Sequence, residues 1–144
     1  MKYLLDTCVV SDFIQGHRPT HSKIMTIKPE YICVSALTKM EIVYGLKKNP
    51  KKAKMIAGMI DDFLDCVTVL DFNAAVATQA GEIRAVLKEK GCPIGAYDLL
   101  IGATALFYQY TLVTSNTREF KRIESLKLEN WRIDERAMNY SEYT

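Results

Sequence analysis

No apolar run in the 144 residues approaches the roughly 20 that a membrane-spanning helix requires, so a membrane protein built on such helices is excluded. The N-terminus also lacks the layout of a secretory signal. Apolar residues begin at once and Asp6 interrupts them, so a cytoplasmic location is expected. Histidine is scarce. His17 and His21 share one polar loop, which leaves a cysteine nucleophile such as Cys8 without an organised base. The cysteines at 8, 33, 66 and 92 form no C-x-x-C pair, which argues against a zinc site or a disulfide frame. Cys8, Cys33 and Cys66 fall in or beside apolar strand-like runs and are expected to be mostly buried, reduced thiols. Internal repeats, low-complexity tracts and Gly/Ser/Pro-rich linkers are absent. One domain over 1–134, with a C-terminal tail over 135–144, is expected. Charge of one sign is not in excess either, since the net value is +2, and the whole-protein field says little about partners.

What the chain does have is alternation. "KYLLD" reads as a strand and "TCVVSDFIQG" as a helix ended by Gly16, with a loop or short helix from Pro19 to Lys28. "YICVS" is a second strand, after which Ser35 caps a helix over "ALTKMEIVYGLKK". Asn49 and Pro50 start another helix, through about Leu64. "CVTVLDF" is a third strand, followed by a long helix capped by Asn73 and stopped by Gly91 and Pro93. "YDLLIGATALFYQ" is an apolar helix, "TLVTS" a fourth strand, and a short helix spans Thr117 to Ile123 before a segment containing Trp131. Strands separated by helices imply right-handed crossovers and an α/β fold, a parallel sheet with helices on both faces. Ligands in such sheets bind beyond the carboxyl ends of the strands, where Asp6 and Thr114–Asn116 fall.

Three acids stand where an acid is awkward. Asp6 can cap the helix that begins at Thr7, or form one wall of a site, and one oxygen can serve each role. Glu41 lies about 40° from Leu37 and about 60° from Tyr44 on a helical wheel, so it is expected to flank a buried stripe. Asp98 occupies the first turn of a helix with no other charge from Leu99 to Tyr108. Dipole or capping duty accounts for it equally well. Gly102 and Ala105, one and two turns on, would let a neighbouring element or a ligand approach. If the three acids meet, their repulsion calls for a hard divalent cation, and carboxylate-held metal suits phosphodiester hydrolysis. Two basic clusters, "KKNPKKAK" with Lys47, Lys48, Lys51 and Lys52, and "TREFKR", read as solvated helix faces on their own. An acidic site with a polyanionic substrate would give the first of them an RNA-binding role.

"LLDTCVVSDFI", "VSALTKMEIVYGL", "GCPIGAYDLLIGATAL" and "LVTSNTREFKRI" occur in the order and at the separations that resemble the PIN-domain ribonucleases. The resemblance is to the VapC-like toxins of bacterial toxin–antitoxin pairs and covers Lys2 to Trp131. It implies a PIN-like three-layer α/β/α sandwich with a central parallel sheet of four to five strands. It also implies a Mg²⁺- or Mn²⁺-dependent endoribonuclease with Asp6 and Asp98 as metal ligands and Glu41 as third acid. "AGEIRAVLKEKGCPIGAYD" resembles the subgroup that cleaves initiator tRNA in its anticodon loop. A homodimer is implied, held inactive in a heterotetramer or larger assembly by a cognate antitoxin whose tail crosses the toxin groove. Two positions depart from the family pattern. Asn116 stands where many members have a fourth aspartate, and Glu119 is the acid that would substitute. Cys8 replaces an asparagine. Those departures leave a competing reading open, a catalytically weak module that binds antitoxin and nucleic acid and acts in regulation.

Overall fold

The structure is a computed structural model and describes residues 1–132; the tail expected over 135–144 lies outside the described residues. The chain order is β1 (Tyr3–Leu5), α1 (Thr7–Ile14), α2 (Arg18–Met25), a 3₁₀ turn (Pro29–Tyr31), β2 (Ile32–Ser35), α3 (Ala36–Lys48) and α4 (Pro50–Cys66). It continues through β3 (Thr68–Leu70), α5 (Ala74–Glu89), α6 (Ala96–Tyr108), β4 (Thr111–Val113), α7 (Thr117–Phe120) and β5 (Leu128–Glu129). Local chemistry places the helix starts. The Ser35 hydroxyl accepts the Thr38 N–H at 3.0 Å, Asn49 Oδ1 the Lys52 N–H at 3.2 Å, and Asn73 Oδ1 the Val76 N–H at 3.0 Å. Gly16 and Gly91 close α1 and α5 at φ 78° and 70°, where a Cβ would be strained.

The strands form one parallel sheet in the order β3-β2-β1-β4-β5. Register sorts the side chains into two cores, because successive residues of a strand face opposite ways. Leu4 pairs with Cys33 and Leu112, all beneath α5 and α6, where Val76, Ala80, Ile83 and Leu87 provide the apolar stripe of α5. Leu5 pairs with Val34 and Val113 on the other face, beneath Val9, Val10, Ile60 and Phe63 of α1 and α4. Trp131 joins that second core and meets Tyr3 edge-on at 5.3 Å. Each fully buried Leu or Val contributes about 1.5–3 kcal/mol. The result is helix–sheet–helix, with no helix among the described residues long and apolar enough to cross a membrane.

Several local expectations need correction. Helix α4 runs to Cys66, beyond Leu64, so the third strand is shorter and Cys66 is exposed; only Cys33 of the four thiols is buried. The apolar run "CVTVLDF" reads as one strand, but the helical hydrogen bonds of α4 take its first residue and the strand itself covers only Thr68–Leu70. On α3, Tyr44 is 64% exposed, with Met40 and Val43 also outward, so the stripe expected beside Glu41 does not extend to Tyr44; Leu37, Ile42 and Leu46 are half-buried against the two cores. The helix fully buries Thr38.

Candidate active site

The sheet order reverses between β1 and β4: the chain leaves β1 toward β2 and β3 on one side, then returns to lay β4 and β5 on the other. The crevice at such a switch point is where open parallel sheets bind ligands. Asp6 follows β1 and Thr114–Asn116 follow β4, so the pairing of these two strands brings both segments to one place.

Asp6 is 6% exposed. Its Oδ1 accepts the Thr7 N–H at 2.8 Å, which is the helix-capping role, and its Oδ2 accepts the Thr114 hydroxyl at 2.8 Å. Cys8 adds a weak S–H contact to Oδ2 at 3.6 Å and lies 3.4 Å from Ser115 Oγ. The thiol therefore leaves the two strong donors to Asp6 in place. Neither histidine is near it in bonding terms. His17 contacts Thr20 and His21 stacks on Phe13, so neither histidine serves Cys8 as a base.

Glu41 reaches the same region from α3. The hydroxyls of Ser35, Thr38 and Thr7 stand in line, with Ser35 to Thr38 at 3.2 Å and Thr38 to Thr7 at 3.1 Å, and the line ends on Glu41 Oε1, 3.1 Å from Thr7 Oγ1. Each hydroxyl has one proton, and the last one goes to the carboxylate. What holds Glu41 is thus a polar string from the α3 cap, not an apolar stripe.

Asp98 enters from the first turn of α6. The Asn116 side-chain N–H₂ donates to Asp98 Oδ2 at 3.3 Å and to Glu119 Oε2 at 2.8 Å. Burial, then the charges of Asp6, Glu119 and Glu41, push the Asp98 carboxyl up to about 6. Glu119 is held low, by the Asn116 donor first and the Gly95 N–H second. Among the described residues the ion pair is Asp12–Arg132, at 2.6 Å, and no lysine or arginine is in contact with the four acids. Apart from those donors and the more distant charge of Arg122 on Glu119, they repel one another, which is the arrangement a bound cation would relieve. They do not close into a cage, since among the described residues no three His, Cys, Asp or Glu side chains are gathered tightly enough to hold a metal unaided. An open set of this kind suits an ion that keeps its waters, as Mg²⁺ does.

Beside the acids an apolar groove of about 180 Å³ runs between α1, α3 and α4. Thr7 and Glu41 line it toward the acids, Val10, Ile42, Ile56 and Ile60 form its walls, and Lys52 also lines it. Lys47, Lys48, Lys51 and Lys52 are all exposed around the α3–α4 turn. In the second basic cluster Arg122 is already used, donating to Pro93 O at 2.8 Å. Sequence reasoning placed Thr114 at the ligand-binding edge without a role and missed Thr38 and Gly95, for which the available signal was a hydroxyl or glycine beside a helix start.

A family model described as the PIN domain matches residues 3–126. The tRNA(fMet)-specific endonuclease VapC of Shigella flexneri is 34% identical over 131 residues, 91% of this chain and 98% of that one. Ribonuclease VapC2 of Rickettsia felis is 38% identical over 133 residues, again 91% and 98%. Among solved structures, VapBC2 from Rickettsia felis bound to a DNA fragment from its promoter aligns with a TM-score of 0.83 at 36% identity, covering 91% of this chain and 99% of that chain. DNA-bound VapBC from Salmonella typhimurium aligns at 0.83 and 31%, covering 91% and 98%. The chain belongs to the PIN-domain family and, within it, to the VapC ribonucleases. It is accordingly a nuclease, and dependence on a divalent metal is general among PIN-domain ribonucleases.

Proposed function

We propose that this chain is the toxin of a toxin–antitoxin pair, an endoribonuclease that uses Mg²⁺ or Mn²⁺ to cleave tRNA in the cytoplasm, with the initiator tRNA anticodon loop as its target. The observation that carries the reading is Asp98, whose carboxyl is raised to about 6 by burial and by three other acids drawn from separate elements. Asp6 and Asp98 would hold the ion, which supplies charge neutralisation at the phosphate and a more acidic bound water. Glu41, fixed by Thr7, would be the base that orients an attacking water and accepts its proton. Asn116 holds Asp98, and Thr114 holds Asp6. Lys47, Lys48, Lys51 and Lys52 offset the repulsion between acids and RNA phosphates and track the backbone.

The tRNA reading rests on the Shigella flexneri relative's tRNA(fMet) specificity and on the stretch preceding Asp98. The antitoxin reading rests on the VapBC complexes that share this fold. The groove between α1, α3 and α4 offers the antitoxin an apolar channel that passes Glu41, from which a basic side chain would reach the acids. The toxin is expected to pair as a homodimer, forming a heterotetramer or larger assembly with the antitoxin, and the unit that does this is one domain over 1–134.

Purified protein is incubated with total tRNA and either Mn²⁺, Mg²⁺ or EDTA, beside Asp6→Asn and Asp98→Asn. Metal-dependent cleavage by wild type alone supports the reading. Wild type and both variants behaving alike would sink it and favour the regulatory module.

A further inference from the structure

Residues 119–123, in and just after α7, hold the α5–α6 connection at two points and α6 itself at a third. Glu119 Oε1 accepts the Gly95 N–H at 2.7 Å, Arg122 Nη1 donates to Pro93 O at 2.8 Å, and Phe120 and Ile123 pack onto Gly102. A Cβ at Gly102 would stand 2.6 Å from Ile123 Cδ1, so the glycine admits a neighbouring element of this chain. Gly95 precedes α6, which has no side-chain cap of its own, and the Glu119 carboxylate supplies a negative group at that helix start. The other Glu119 oxygen takes the Asn116 N–H₂, whose second contact is Asp98.

Asp6 also accepts two short hydrogen bonds, so saturation alone does not distinguish these two acids. Direction does. The donors to Asp6 come from its own helix start and from the end of β4, whereas both donors to Glu119 lead to Asp98, one through the α6 backbone and one through an amide. Building on the nuclease reading above, we propose that Glu119 is a positioning residue, not a metal ligand, and that it acts on Asp98 by direct carboxyl contact and through Asn116 and the Gly95 backbone. Asn116 is then no defective fourth acid. As an amide it can donate to two carboxylates at once, which an aspartate at 116 cannot do.

A double-mutant cycle tests this with Asn116→Ala, Glu119→Ala and the pair combined, read three ways: kcat and KM on tRNA, bound Mn²⁺ per chain by electron paramagnetic resonance, and Tm in EDTA. Outer partners of metal ligands typically matter about 10–100-fold, so each single change is expected to lower kcat by that factor with KM unchanged. The combined variant is expected to be no worse than the poorer single one, with Mn²⁺ stoichiometry retained throughout. Independent, multiplying losses, or loss of bound Mn²⁺ in Glu119→Ala, would overturn the proposal. The pair Asn116→Asp with Glu119→Gln moves the carboxylate from 119 to 116 and keeps the total charge. It should stay impaired under positioning and recover if any carboxylate there suffices as a ligand. Should wild type fail to cleave RNA, the nuclease reading falls separately, and non-additivity in Tm still decides whether 116 and 119 act as one. Glu119→Gln, nearly isosteric, replaces Glu119→Ala in the cycle if the latter does not fold.

Discussion

Replacing Asp98 by asparagine removes one charge from a group of four acids while keeping the shape and an acceptor for Asn116. In the metal-free protein the folded Asp98 carboxyl sits at about 6, against 3.8 for an ordinary aspartate. The folded state therefore binds more protons than the unfolded state between these values, and Asp98 stabilises least once pH has risen past about 6. At 1.36 kcal/mol per pH unit of difference, the full penalty above pH 7 would be about 3 kcal/mol. Asp98 is only partly buried, and solvent screening brings this to about 1–1.5 kcal/mol. For a domain of this size that is a Tm higher by about 3–5 °C in the asparagine variant at pH 7.5. Thermal melts in EDTA, recorded from pH 4 to 8, should show the two proteins equal near pH 4 and diverging until about pH 7. Adding Mn²⁺ should stabilise wild type more than the variant and narrow the gap. A variant no more stable than wild type at pH 7.5 in EDTA, or a gap that does not change with pH, would refute the argument that the acids repel one another across this cleft.

Charge reversal of Lys51 and Lys52 together should weaken RNA binding in Ca²⁺ and reduce the slope of log K against log salt by about 2, as measured by fluorescence anisotropy; an unchanged slope removes these lysines from the RNA path. Leu4→Ala, at a side chain with 0% exposure between two strands and two helices, should cost about 2–5 kcal/mol in urea unfolding. Gly102→Ala forces a methyl against Ile123, and about 1–3 kcal/mol of destabilisation is expected in the same assay, together with reduced activity through the displaced α7. Asn73→Ala, which removes the cap of α5 far from the acids, should cost about 1 kcal/mol and leave kcat unaltered.

Helix starts were legible in the residues because capping is local. Ser35, Asn49 and Asn73 each accept an N–H only three positions on, and no tertiary information is needed to see it. The same holds for the apolar stripe of α5 and for a parallel sheet inferred from alternating strands and helices. Exposure was less legible. Tyr44 and Cys66 sit in apolar runs, yet whether such a run meets a core depends on what packs against it, and among the described residues the outer face of α3 and the end of α4 are exposed.

Asp6, Glu41 and Asp98 could be singled out from sequence because each is a charge set in apolar or helix-starting surroundings, where burial has to be compensated. That three of them, with Glu119, share one crevice follows from strand order together with the packing of α3, α6 and α7 around it. Thr114 donates to Asp6 across 108 positions of chain, a contact that exists only because β4 lies beside β1. Asn116 read in isolation is a missing acid, and between Asp98 and Glu119 it is a donor to both. Residue type determined which groups could carry a charge or a proton, and the sheet's reversal between β1 and β4, with the helices packed on it, decided which of them repel and which are held.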